Sequence, residues 1–176
     1  QQCNEIIQQN SDLLVKLIIH HGEKHIVVKD VEGNDIELPI AQYIYLDMSG
    51  DEFRFHNELY NRILQETLEH LEDENFVAET YFANHPNPEV SRIASLPTGE
   101  QEVSTASLQL QLNAEKLRQF VFKDLLSFRT HYIAQRLIEV QQEFARNPSN
   151  RELVEEFMKL KKMNSLLASQ TNSVFN

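Results

Sequence analysis

Seven histidines and a run of carboxylates are the residues of this 176-residue chain whose types could do chemistry. His20, His21 and His25 gather with Glu23 where an apolar-periodic segment ends, and such a set could hold a divalent metal. The spacing argues against one. Adjacent histidines on a helix point in different directions, no His-x-x-x-His with an intervening Glu occurs, and there is no His-Asp dipeptide of the metal phosphohydrolase type. Glu66, Glu69, His70, Glu72, Asp73 and Glu74 could offer carboxylate ligands, yet on a helix such a run reads as a solvated face. Cys3 lies in a frayed terminus, and no Gly-x-Ser-x-Gly elbow carries a serine nucleophile. Neither phosphate-cradling glycine motif is present, and four glycines leave little backbone for one. The reading assigns no catalytic residue, no metal ligand and no cofactor.

Composition fits a folded, interacting chain. Hydrophobic residues make up 41% and charged residues 24%, which excludes wholesale disorder, and the few glycines and prolines favour helices. The single cysteine cannot form an internal disulfide, and no apolar run reaches the roughly 18 residues of a membrane span, so a reducing, cytoplasmic compartment is expected. The start Gln1-Gln2-Cys3-Asn4 has neither Met nor a signal pattern, so the chain is expected to be a piece of a longer protein. A net charge of −11 repels phosphate backbones, so direct nucleic-acid binding is not expected. From Arg129 onward seven Lys or Arg face five Glu, which leaves −13 on the remainder: a mildly basic end on a strongly acidic body.

The elements that must position any site read as mainly α. Ile6, Ile7, Leu13, Leu14, Leu17 and Ile18 keep a helical period that should stop near His21, with Gly22 suited to a left-handed C-cap. His25 to Val28 and Ile36 to Leu38 flank Glu32-Gly33-Asn34-Asp35, a β-hairpin inserted over about 24–38. Pro39 opens a helix that Ser49-Gly50-Asp51 breaks, and a longer one runs from about Asn57 to Glu72. Asn75 is expected to cap a helix holding Phe76, Val77, Tyr81 and Phe82, closed by His85-Pro86, after which Asn87-Pro88-Glu89 starts another. Pro97, Gly99 and their Ser and Thr neighbours make 96–107 a flexible loop, and either a deletion or missing residues are expected near Ser95 and Leu96. From about Gln109 a helix continues almost to Arg146. Phe120, Phe128, Tyr132, Phe144 and Phe157 sit at helical spacing and read as core.

The last third is written as two helices zipped together. Ile133, Leu137, Val140 and Phe144 form one seam, and Leu153, Phe157, Leu160 and Leu167 the other, so Phe144 should lie beside Leu153 and Leu137 opposite Leu160. Between them Pro148 stops the first helix, while Ser149 and Glu152 match the Ser-x-x-Glu capping box. The architecture expected is a helical bundle over 1–128 with its β-hairpin, then an antiparallel helical hairpin over 129–176. On a helical wheel Met163 falls at the margin of the second seam and Leu166 about 130° from its centre, more apolar surface than two helices need. Such a face suits docking on another protein.

Two quoted segments resemble the C-terminal helicase-binding domain of bacterial DnaG-type primases. Tyr81-Phe82-Ala83-Asn84-His85-Pro86-Asn87-Pro88-Glu89-Val90 is similar to that family's short helix, His-Pro turn and next helix. Leu137 to Phe144 with Pro148-Ser149-Asn150-Arg151-Glu152-Leu153 is similar to its hairpin. The β-hairpin and the loop after Ser95 depart from the simpler members. The resemblance implies a non-enzymatic, monomeric domain of a primase whose chemistry lies elsewhere, docking on the N-terminal collar of the hexameric replicative helicase in the bacterial cytoplasm. Met163, Leu166, Leu167 and Gln170 are the contact residues expected on that reading. Two other classes compete: the helicase's own N-terminal domain, which would self-associate, and a helical metal hydrolase, which would bind a transition metal.

Overall fold

A computed structural model describes residues 2–96 and 114–174, with backbone alone for Cys3 and 170–174. The chain is mainly helical: α1 (Gln2–His21), β1 (His25–Lys29), β2 (Asp35–Pro39), α2 (Ile40–Ser49), α3 (Glu58–His70), α4 (Ala78–Ala83), α5 (Pro88–Ser95), α6 (Ala114–Arg146) and α7 (Arg151–Val174). The loop expected over 96–107 lies, from 97 on, outside the described residues, as does the helix start expected near Gln109. The chain divides into two compact units, Ser11–Lys123 and Gln1–Asn10 with Asp124–Asn176. The sequence had placed 1–128 in one body; the units instead leave residues 1–10 with the terminal helices.

In the first unit α2 and α3 each bury one stripe. Ile40, Ile44 and Met48 follow a four-residue step along α2, and Tyr60, Ile63, Leu64 and Thr67 a three-one-three step along α3. Each fully buried Ile or Leu contributes about 2 kcal/mol of apolar burial, and that sets which face turns inward. Thr67 is polar but satisfied, its Oγ1 donating to the Ile63 carbonyl at 2.8 Å. The two strands pair antiparallel with Ile26 opposite Leu38 and Val28 opposite Ile36, and Ile26 and Val28 face the core. Arg118 of α6 donates to the Val27 carbonyl at 2.8 Å and lies over the Phe122 ring, which ties the small sheet to a helix.

Two caps and the β-turn differ from expectation here. Gly22 is not left-handed: among the described residues only Gly33 and Glu52 have positive φ. Its missing side chain serves close approach instead, because a Cβ there would meet the Ile18 carbonyl at 2.4 Å and Thr67 at 3.0 Å. The Gly22 and Lys24 carbonyls then accept from Ala41 and Ile40 N–H, satisfying the first turn of α2. The β-turn is centred earlier than Glu32-Gly33-Asn34-Asp35: Asp30 leads it, its Oδ1 accepting from Glu32 and Asn34 N–H at 2.9 and 2.8 Å, with Gly33 at φ +86°. Asn75 caps nothing. Its N–H donates to Asp73 Oδ1, α4 starts only at Ala78, and Phe76 and Val77 precede the helix. Asn57 and Asn87 do cap α3 and α5, accepting from Leu59 and Glu89 N–H.

Candidate functional site

The second unit contains the hairpin, and one arginine fastens it. Arg136 on α6 grips Glu156 on α7 in fork geometry, Nε to Oε1 at 2.5 Å and Nη2 to Oε2 at 2.9 Å. Its Nη1 also reaches Glu139 at 3.3 Å and Glu143 at 3.1 Å on its own helix. Three carboxylates hold the guanidinium well above its ordinary range, Glu156 contributing most. Arg136 and Glu156 lie on opposite sides of the turn after Arg146, so their pairing fixes the two helices as antiparallel neighbours. The sequence reading passed over Arg136; the signal was available in the spacing Arg136, Glu139, Glu143, three and seven residues apart on one face.

The turn is built one residue later than a Ser149 capping box requires. Asn150 Oδ1 accepts from Glu152 N–H at 3.0 Å, so Asn150 is the cap, and Ser149 Oγ donates to Asn147 Oδ1 instead. Along the seam Ile133, Val140, Leu153, Leu160 and Leu167 are buried, while Leu137 and Phe157 are half-buried. Phe144 is the exception, 39% exposed. It sits within a turn of the helix end at Arg146. Phe128 is buried and Phe120 and Tyr132 are half-buried, so of the five aromatic residues read as core, Phe144 alone is exposed.

The four expected contact residues separate. Leu166 projects outward at 56% exposure, Met163 is half-buried, Leu167 is buried in the seam, and the Gln170 side chain lies outside the described residues. Leu167 therefore holds the hairpin rather than presenting a surface. The sequence reading missed Met158, 66% exposed, and Val154, 42% exposed, one turn apart on the outward side of α7. Lys159, Lys161 and Lys162 stand between them and Leu166, with the Lys161 ammonium over the Phe157 ring at 5.5 Å. This is an apolar strip in a basic surround, a surface for protein contact.

The histidine and carboxylate candidates do not converge. His20 lies 3.4 Å from Glu79, His21 Nδ1 accepts from Lys24 at 2.8 Å, and Glu23 accepts from Ala78 N–H. Burial and the adjacent Lys24 ammonium push His21 down to about 4. Among the described residues no three His, Cys, Asp or Glu side chains are placed to hold a metal ion. In the acidic run Glu66 accepts from buried His85 Nε2 at 3.0 Å, while Asn87 N–H donates to the other ring nitrogen. His70 stacks on Phe76 at 5.1 Å and meets Tyr81 at 4.7 Å. Both histidines are packed as structure: His85 pins the turn between α4 and α5 to Glu66 of α3, and His70 of α3 packs on Phe76 and on Tyr81 of α4.

No described helix is long and apolar enough to cross a membrane. Compared with known proteins, residues 4–174 match the family model described as "Domain of unknown function (DUF8430)". No curated protein and no solved structure matches the chain.

Proposed function

We propose that this chain, which belongs to the DUF8430 family, is a protein-docking domain whose C-terminal hairpin tethers a bacterial primase to the N-terminal collar of the hexameric replicative helicase. One observation carries the docking role: Leu166 at 56% and Met158 at 66% exposure stand on the outer side of a helix whose inner side is already filled by Leu153, Leu160 and Leu167. The choice of partner rests on the primase-like segments around His85-Pro86 and Pro148 to Leu153. In this reading the domain performs no chemistry; primer synthesis belongs to other domains of the parent protein, and this one sets where and when they act at the fork.

The contact is transient on physical grounds. A strip of two or three apolar side chains yields a few kcal/mol before association costs, so the tether forms and releases as the helicase moves. The test is titration of the 176-residue chain against the purified N-terminal domain of the cognate helicase by calorimetry. Binding by the wild type and at least about tenfold weakening by Leu166→Asp, with unchanged thermal melting, are expected. Absence of wild-type binding overturns the choice of partner. Equal binding by wild type and Leu166→Asp removes this face from the contact.

A further inference from the structure

The two-stranded sheet of the first unit has one edge occupied and one open. Asp30 N–H donates to the Asn34 carbonyl and Ile40 N–H to the Lys24 carbonyl, so the hydrogen-bonded pairs of this register fall on even-numbered residues. Val27, Asp35 and Glu37 therefore turn their backbone N–H and C=O away from the neighbouring strand. On the β1 side the Val27 carbonyl is taken by Arg118 at 2.8 Å. On the β2 side, among the described residues, nothing bonds the outward backbone groups of Asp35 and Glu37.

The side chains of the inner face show the same gap. Ile26 and Val28 of β1 are buried, whereas Leu38 and Ile36, directly opposite them on that face, are only half-buried. One more strand beside β2 would cover both and satisfy the free backbone groups. Only an extended chain offers N–H and C=O at the matching two-residue repeat, so the edge selects a strand rather than a helix.

Charge selects which strand. Glu37 is exposed and its carboxylate has no hydrogen bond or ion pair among the described residues, whereas Asp35 is held by Lys29 at 2.5 Å. Residues 30–38 hold four Asp and Glu and no Lys or Arg. The residue directly across from Glu37 would have its Cβ about 5 Å away, where opposite charges attract and like charges repel. A second copy of β2 does not fit: antiparallel pairing of two such edges about Ile36 or Glu37 sets acidic residues of one copy against those of the other.

We infer that the free edge of β2 is a strand-docking site for an extended segment of a partner protein, in which apolar residues on the side of Ile36 and Leu38 alternate with Lys or Arg on the side of Glu37. It uses residues other than those of the α7 face and does not depend on the helicase reading. The probe is a labelled peptide, Thr-Ile-Lys-Val-Arg-Ile-Thr, titrated into the 176-residue chain by fluorescence anisotropy, with exchange of the Glu37 amide followed by NMR. Its controls are the peptide with Lys and Arg replaced by Glu, the same residues reordered as Ile-Val-Ile-Thr-Thr-Lys-Arg, and two N-methylated forms. Methylation at Lys removes an N–H that faces β2; methylation at Val removes one that faces away.

The alternating peptide should bind, and the Glu, reordered and N-methyl-Lys peptides should bind at least about fivefold more weakly, with little change for N-methyl-Val. At saturation the Glu37 amide should exchange at least about tenfold more slowly. Glu37→Lys should weaken the basic peptide at least about fivefold with unchanged melting, and should bind the Glu peptide in its place. Equal binding of the reordered peptide, binding undiminished by N-methyl-Lys, a Glu37 amide already protected in the free chain, or no binding at all overturns the inference.

Discussion

At the scale of single residues, one-position differences carry measurable free energy. With Asn150 rather than Ser149 accepting from the first turn of α7, Asn150→Ala should cost about 1 kcal/mol in urea unfolding and Ser149→Ala less than about 0.5. The reverse order would restore the capping box that the sequence alone proposes. His21 gives a pH signature. Its folded-state value, about 4, lies below its ordinary 6.5, so between those two pH values the unfolded chain holds a proton that the folded chain refuses. Stability should therefore fall as pH drops from 6.5 to 4, by up to about 3 kcal/mol from this group. In His21→Gln the urea midpoint should be flatter across that window than in the wild type; identical pH slopes would show that His21 is not the group responsible.

At the scale of elements, the terminal hairpin depends on one ion pair and a buried seam of Ile133, Val140, Leu153, Leu160 and Leu167. Arg136→Met keeps the aliphatic stem and removes the fork to Glu156. It should cost about 1–2 kcal/mol, because the carboxylates of Glu139, Glu143 and Glu156 then face one another without a counter-charge. Faster hydrogen exchange confined to α6 after 124 and α7, with the first unit unaffected, is the expected readout. The β-hairpin is tuned at its turn. Gly33 sits at φ +86°, so Gly33→Ala should cost about 1 kcal/mol by thermal melting, whereas Val31, fully exposed beside it, should accept Lys within about 0.5 kcal/mol. Much of this level was legible in the sequence: the helix start near Asn57, the Asn87-Pro88 start and the Pro148 stop were read from residue type alone, while the cap that Asn57 makes came only with the structure. Gly22 was not, because its role is set by Ile18 and Thr67, and the second of these is distant in sequence.

At the scale of the whole molecule, charge is unevenly shared along the chain. From Arg129 onward seven Lys or Arg face five Glu, and Lys159, Lys161 and Lys162 lie between Met158 and Leu166, whereas the remainder carries −13. Raising salt from 0.05 to 0.3 M should therefore weaken the helicase-collar contact by more than about threefold. A Kd that does not move with salt would show that these lysines take no part in the contact. The candidate surface itself was only partly legible. The wheel placed Leu166 outward and Met163 at the margin, as found, but it did not reveal that Met158 and Val154 are exposed or that Phe144 is left uncovered.

Taken by itself, the sequence determined the mainly helical fold, the strand insertion, most helix limits and the terminal pair of helices. Those follow from periodicity, proline geometry and side-chain caps, which act within a few residues of the chain. Only the tertiary structure decided that Arg136 joins the helices, that Gly22 is needed for space, and that His85 and Glu66 pair internally. Each of these depends on side chains brought together from separate elements, and the three-dimensional neighbours that satisfy a charge or leave a cavity have no fixed spacing along the chain.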